Sequence, residues 1–488
     1  MLNLQNLING RLADPAGGSW LDNPEPATGL VYSRVADSDE RDVDAAVQAA
    51  KRAFPGWSAA PAAERARLIL RLADLIDANL ERLARAETID NGKPLALSRT
   101  VDIPRAASNL RFFAGAILHT ESPCYTTESG VMASRALNYV TRSPRGVAGC
   151  ISPWNLPLYL FTWKVAPALA TGNTVVAKPS EVTPMTAFLL SQLAIEAGLP
   201  PGVLNIVHGL GAKAGAALVS HPDVPTLSFT GGTATGEWIA RTAGPMFKRL
   251  SLELGGKNPT IVFDDAAYDE ALTTSVRAAF MNQGEICLCG SRLFVQRSIL
   301  DRFTRDFVER TKAMKVGDPL TDDVDVGAIV SKAHFDKILA YIELARREGG
   351  TILCGGRAVM PAGSDRCRGG WFIEPTVVAG LSHACRTNQE EIFGPVVSII
   401  PFDSEDEVVA MANGTKYGLS ASVWTRDVSK AHRVAARLES GTVWINCWLL
   451  RDLRVPFGGV KASGVGREGG EEALKFFTEA KTVCVRTC

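Results

Sequence analysis

Cys287 stands in the segment Phe280-Met281-Asn282-Gln283-Gly284-Glu285-Ile286-Cys287-Leu288-Cys289. Apolar and small residues over 278–281 give way to Asn-Gln-Gly and resume at Ile286, which puts a thiol beside a glycine turn at the edge of a buried region. A thiol so placed ionises when backbone N–H groups or positive charge lie near, and the thiolate is the nucleophile of covalent catalysis. The alternative use of a free cysteine is as a small buried hydrophobe. Cys287 and Cys289 form a C-x-C pair with no second pair or histidine cluster beside it. None of the six histidines belongs to an H-E-x-x-H helix. No zinc or other metal site is expected.

A second segment suits a phosphate. Phe229-Thr230-Gly231-Gly232-Thr233-Ala234-Thr235-Gly236 follows a strand pattern and leads into a helix over 237–243. Glycines there let the backbone approach a phosphate, and a helix N-terminus favours its charge. The spacing is not G-x-G-x-x-G, so a glycine-rich turn without a ligand is an equal reading of this segment alone. Lys178-Pro179-Ser180-Glu181, directly after another strand pattern, adds weight. Glu181 at a strand's C-terminal end would accept from a ribose 2′-OH and repel a 2′-phosphate, favouring NAD over NADP. Its other reading is a solvated acid at a helix entrance.

The elements around these segments read clearly. Residues 40–95 are predicted helical, with Ile69, Leu70, Leu72, Leu75, Ile76, Leu80 and Leu83 at helical spacing. From 146 onward, strands over 146–151, 174–178, 203–207 and 226–229 alternate with helices over 164–170, 184–197 and 212–220. That order implies a parallel sheet with helices on both faces, of the dinucleotide-binding type. After Gly255-Gly256 a second α/β stretch is predicted, with strands over 260–263, 292–295, 396–401 and 422–424. A last strand over 482–485 has no local partner, so it is expected to pair with another chain or a distant sheet edge.

Bulk properties narrow the class. A chain of 488 residues exceeds one hydrophobic core, so two or three domains are expected. Lys+Arg and Asp+Glu both number 52, which argues against nucleic acid or an anionic membrane as the main partner. No apolar run is long enough to span a bilayer, the N-terminus has no signal-peptide core, and ten cysteines make no disulfide framework. A cytoplasmic location is expected.

Six motifs in order carry a resemblance that covers essentially the whole chain. They are Pro153-Trp154-Asn155-Leu156-Pro157, Lys178-Pro179-Ser180-Glu181, 252–259 (Leu-Glu-Leu-Gly-Gly-Lys-Asn-Pro), the Cys287 segment, Glu390-Glu391-Ile392-Phe393-Gly394-Pro395, and Pro456-Phe457-Gly458-Gly459. Together they resemble the aldehyde dehydrogenase superfamily. The resemblance implies an aldehyde dehydrogenase-like α/β fold with two open α/β domains. These are a Rossmann-like NAD-binding domain (1–121 and 145–255) and a catalytic domain (256–471), joined by a small β oligomerisation element (122–144 and 472–488). It implies a homodimer or homotetramer.

The resemblance also assigns roles. Cys287 attacks the aldehyde carbonyl. The Asn155 amide and the Cys287 N–H stabilise the oxyanion, a type of donor whose loss costs about 3–4 kcal/mol of barrier. Glu253 is the general base for thioester hydrolysis. Its apolar flanks, Leu252 and Leu254, suggest a raised pKa; its other reading is a structural acceptor. NAD is the implied cofactor, held by Trp154, Lys178, Ser180, Glu181, Phe229, Thr230, Gly231, Gly232, Gly236, Leu254, Glu391 and Phe393. The chain departs from the common family pattern at Gly232, where serine is frequent, and at Glu285, where glutamine is frequent.

Within the superfamily, Gly284-Glu285-Ile286-Cys287-Leu288-Cys289 and 446–454 (Asn-Cys-Trp-Leu-Leu-Arg-Asp-Leu-Arg) look like semialdehyde dehydrogenases of aromatic ring cleavage and tryptophan catabolism. Those for 2-aminomuconate 6-semialdehyde rank first, those for 2-hydroxymuconate semialdehyde second, and a broader aldehyde dehydrogenase stands behind both. Such substrates carry a distal carboxylate. Arg451 and Arg105 are the expected clamp, and Tyr159, Leu160, Trp163 and Trp448 the expected apolar walls; each could instead be a surface ion pair or core. Transfer of the thioester to coenzyme A is a rival chemistry, and Glu253 speaks against it. A non-catalytic relative could dispense with Cys287, Asn155 and Glu253, yet all three are present.

Overall fold

Val147–Ile151 buries both of its faces. Val147 and Ile151 turn to one helical layer, Ala148 and Cys150 to the other, the pattern of an interior parallel strand. The computed structural model, which describes residues 1–130 and 134–487, builds an eight-stranded sheet around it. The spatial order is Gly464–Val465, Arg249–Glu253, Thr226–Thr230, Val147–Ile151, Thr174–Lys178, Leu204–Ile206, Asn6–Ile8, Arg11–Ala13. The five strands from Arg249–Glu253 to Leu204–Ile206 are parallel. The outer pairings are antiparallel.

The chain lays down Val147–Ile151, moves outward through Thr174–Lys178 and Leu204–Ile206, then returns to place Thr226–Thr230 on the other side of the first strand. Strand order reverses there, so the loops leaving these two strands diverge and open a crevice. Helices Glu40–Ala59 and Thr233–Ala243 cover one face of the sheet. Ala62–Ala78, Ile103–Ala116, Pro157–Ala170 and Met185–Glu196 cover the other.

The sequence pattern starts a helix at residue 164, but the helix begins at Pro157. Proline suits the first helical turn, where its missing N–H is no loss. Every residue of this helix except Leu160 is buried, so no amphipathic period marks its start. The predicted 212–220 helix is a π-helical turn, Gly211–Gly215, running into Ala216–Ser220.

The second sheet has seven strands. Its order is Thr351–Cys354, Thr376–Ala379, Val396–Phe402, Arg292–Gln296, Pro259–Val262, Ser420–Trp424, Thr442–Ile445. All neighbours are parallel except the first pair. The terminal strand Thr478–Arg486 does find a distant partner: it pairs antiparallel with Ser134–Pro144, which pairs with Cys124–Ser129. Residues 131–133 and 488 of the expected oligomerisation element lie outside the described residues. Among the described residues no helix is long and apolar enough to cross a membrane.

Candidate active site

The helix Tyr268–Phe280 ends against a tight turn whose backbone is left-handed at three successive residues: Asn282 (φ 53°), Gln283 (φ 56°) and Gly284 (φ 70°). This turn throws the chain into Glu285–Cys289. The three carbonyls that follow are pinned from behind. Asn258 Nδ2 donates to Cys287 O (2.7 Å) and Cys289 O (2.9 Å), and Trp448 Nε1 donates to Leu288 O (2.9 Å). Cys287 is thereby held at the junction of two cavities of about 670 and 680 Å³, both also lined by Thr230 and Leu254. Burial, with the Glu391 and Glu253 carboxylates nearby, pushes the Cys287 thiol well up; Arg451 opposes this. Asn155 is buried beside it and gives one amide N–H to Glu285 O (2.9 Å).

Glu253 ends the strand Arg249–Glu253 and lines the second cavity. Neither carboxylate oxygen has a hydrogen-bond partner among the described residues. Burial raises its pKa well above the carboxylate range, and the like charge of Glu468 adds to this. Gly458 keeps the space: a Cβ there would lie 2.7 Å from Glu253 Oε1. Behind Glu253, Lys164 Nζ meets Glu468 (2.7 Å) and Ser228 Oγ (3.1 Å), and Ser228 Oγ donates to Glu468 (3.0 Å). These three buried groups satisfy one another, and the Glu468 and Lys164 charges act on Glu253 in opposite directions. The sequence reading missed Lys164 and Glu468, which lie far apart in the chain.

The first cavity opens at the switch point between the two diverging strands. Gly232 caps the helix Thr233–Ala243, and a Cβ there would meet no atom within 4 Å, while a Cβ on Gly231 would meet the Phe229 ring and one on Gly236 the Leu254 side chain. Thr230 and Thr233 hydroxyls are buried without partners among the described residues. Trp154 and Phe393 form one wall, ring centroids 5.1 Å apart at 90°. Glu391 Oε1 accepts from Gly256 N (2.8 Å), and burial raises its pKa. Lys178 pairs with Glu181 at 2.7 Å. Burial works to raise the Glu181 carboxyl, but Lys178 and backbone N–H groups outweigh it and hold it low. Ser180 Oγ accepts from Val182 N (3.2 Å). His334 and Lys337 also line this cavity and were not singled out in the sequence. Burial lowers His334 to about 4, so its ring is neutral, and its Nε2 lies 2.6 Å from Phe393 O. A crevice with helix N-terminus, bare glycines, orphan hydroxyls and an aromatic wall fits a dinucleotide.

The second cavity is lined by Tyr159, Leu160, Trp163 and Arg451 of the expected set, together with Leu156, Met281 and Phe457. The Arg451 guanidinium lies 3.8 Å from the Phe457 ring centroid and 5.0 Å from that of Trp163. One nitrogen reaches Tyr159 OH at 3.5 Å, but Nε and Nη2 are buried without partners among the described residues. Two residues of the expected set are not among those lining this cavity. Trp448 does not line the cavity, because its indole packs behind the nucleophile loop to hold Leu288 O. Arg105 stands outside the wall, its guanidinium 5.6 Å from the Tyr159 ring centroid.

Residues 14–483 match the aldehyde dehydrogenase family. A 2-aminomuconic semialdehyde dehydrogenase of Danio rerio is 53% identical over 483 residues, 99% of this chain and 98% of that one. A 2-hydroxymuconic semialdehyde dehydrogenase of Pseudomonas sp. strain CF600 is 45% identical over 491 residues, covering 100% of each. Among solved structures, an indole-3-acetaldehyde dehydrogenase in complex with NAD+ superposes with a TM-score of 0.96 at 41% identity, covering 100% of this chain and 97% of that one.

The glycine turn yields a direct test. A Cβ on Gly284 would be left-handed, costing about 1–2 kcal/mol, and would meet the Gly394 carbonyl. Gly284→Ala is expected to lower the melting temperature by several degrees and kcat/KM by about tenfold or more, read by thermal melting and steady-state kinetics.

Proposed function

Because the chain belongs to the aldehyde dehydrogenase family, we propose that it oxidises a short semialdehyde bearing a distal carboxylate, 2-aminomuconate 6-semialdehyde first, to the dicarboxylic acid with NAD. The observation that carries this reading is Arg451: a cation in the cavity beside Cys287 with two guanidinium nitrogens buried and unpartnered among the described residues. A buried donor without a partner is costly, and a carboxylate satisfies it with charge-assisted bonds. Names of relatives support the same ranking, and 2-hydroxymuconate semialdehyde is the second reading.

The Cys287 thiol, which burial holds in its protonated form, gives its proton to water as its sulfur adds to the aldehyde carbon, and the carbonyl oxygen takes the negative charge. The Asn155 amide and the Cys287 N–H are assigned to that oxygen. Bound NAD+ would supply the hydride acceptor, and the residues assigned to hold it are Trp154, Lys178, Ser180, Glu181, Phe229, Thr230, Gly231, Gly232, Gly236, Leu254, Glu391 and Phe393. Loss of hydride from the tetrahedral carbon leaves a thioester on Cys287. Glu253 takes a proton from water as the water attacks that thioester, and later releases it to solvent. The acid leaves and the thiol is restored. Tyr159, Leu160 and Trp163 hold the apolar body of the substrate. Arg451 takes the carboxylate, and Arg105, 5.6 Å from the Tyr159 ring centroid, adds positive charge at the edge of that wall.

We assign residues 1–121 and 145–255 to nucleotide binding and 256–471 to catalysis. The pairing of Gly464–Val465 with Arg249–Glu253 ties the two. We assign 122–144 and 472–488 to oligomerisation: the small sheet of Cys124–Ser129, Ser134–Pro144 and Thr478–Arg486 exposes Tyr125, Leu137 and Val485, a face that a second copy would cover in a homodimer or homotetramer. Balanced charge supports a cytoplasmic enzyme for a small molecule rather than for nucleic acid or a membrane surface.

Arg451→Ala is expected to raise KM by about 100-fold for a carboxylated semialdehyde and to leave a neutral aldehyde nearly unchanged; equal losses on both would refute the clamp. Glu253, with its pKa raised, is protonated at low pH and gains its base form only as pH climbs through that raised value. Turnover should therefore rise with pH. Glu253→Gln should lower kcat by about 100-fold and flatten the rise, while NADH still appears as a single-turnover burst. Glu181→Ala should weaken NAD more than NADP, measured as the ratio of their kcat/KM values.

A further inference from the structure

We propose that Lys93 and Asn282 are positioning residues for the Asn155 amide, an inference that rests on the oxyanion role given to Asn155 above. The helix Pro157–Ala170 begins with its cap at Leu156, so the Asn155 carbonyl lies outside the helical ladder and needs donors from elsewhere. Two side chains supply them: Lys93 Nζ at 2.9 Å and Asn282 Nδ2 at 3.1 Å. All three residues are buried.

Lys93 reaches this carbonyl through a tight turn. The helix Leu80–Asn91 ends at Gly92, which is left-handed (φ 90°) and where a Cβ would lie 2.6 Å from Ala328 O. On one side of Gly92, Asn91 Nδ2 donates to Trp154 O (3.0 Å); on the other, Lys93 takes Asn155 O. One three-residue turn thus holds two consecutive carbonyls of the crevice loop. A buried ammonium needs compensation, and Lys93 has it in Asp102 and in Glu87 at 3.5 Å.

Asn282 approaches from the nucleophile loop. Its Nδ2 also meets Glu285 O (3.3 Å), the carbonyl that accepts from the Asn155 amide (2.9 Å). Asn155 O, Asn282 Nδ2, Glu285 O and Asn155 Nδ2 therefore close a ring between the two loops. With one amide N–H committed to Glu285 O, the direction of the other is set. The loop that carries Cys287 and the side chain that would meet the oxyanion are locked to one another.

Removing Lys93 would strand two carboxylates, so Asn282 is the cleaner probe. Asn282→Asp keeps a residue type that tolerates a left-handed backbone but replaces the donor with an acceptor; Asn282→Gly keeps the backbone and removes the side chain. In the full-length enzyme, each is expected to slow the single-turnover NADH burst by about 10- to 100-fold. The rate of Cys287 alkylation by iodoacetamide and the NAD dissociation constant should stay within about twofold. In an Asn155→Ala background the same substitutions should add less than about twofold, because they act through that amide. Equal losses in both backgrounds, or an alkylation rate that falls with the burst, would overturn the proposal. An Asn155→Ala enzyme with an intact burst would instead remove the oxyanion reading beneath it.

Discussion

The reversal of strand order between Val147–Ile151 and Thr226–Thr230 is the constraint on which the site depends. Parallel strands share their loops evenly until the chain turns back; at that point two neighbouring strands send their loops in opposite directions and leave a crevice. Trp154 and Asn155 leave one strand, Gly231 and Gly232 the other, and Glu253 ends the next strand over. Cys287 comes from the second sheet's side, delivered by the end of Tyr268–Phe280. Three loops from two sheets meet, and none can satisfy its backbone groups by regular pairing.

That shortage explains the distribution of buried polar side chains. Asn258, Trp448, Asn91, Lys93 and Asn282 spend their donors on loop carbonyls. Lys164, Glu468 and Ser228 satisfy one another. Glu253 and Arg451 retain buried atoms without partners among the described residues, and both line the cavity beside Cys287. Buried polar groups are normally hydrogen-bonded, and the exceptions need a reason.

Much of this was legible in the residues. The strands near 147, 174, 204 and 226 were marked by short β-rich runs, and the glycine turn after Phe229 by its position between strand and helix. Glu253, Asn155 and Cys287 were marked by their motifs. The start of the helix at Pro157 was not legible, since a helix buried all round has no polar face to give a period. Trp448 and Arg105 were read as cavity residues because they sit in or near the right segments. Spacing along a chain does not say which side of a loop a side chain takes.

Local chemistry alone therefore marked which residues could react and that a parallel α/β sheet with a glycine-rich turn lay among them, and the order of six motifs carried the resemblance to the aldehyde dehydrogenases. Only the tertiary structure decided that Cys287 sits at the junction of two cavities, that Lys164 and Glu468 lie behind Glu253, that Arg451 lines the cavity beside Cys287, and that Lys93 and Asn282 donate to the Asn155 carbonyl. The hydrogen bonds behind those facts join residues 62 to 304 positions apart. Hydrogen bonds and buried charges depend on distance in space, and the fold alone sets that distance.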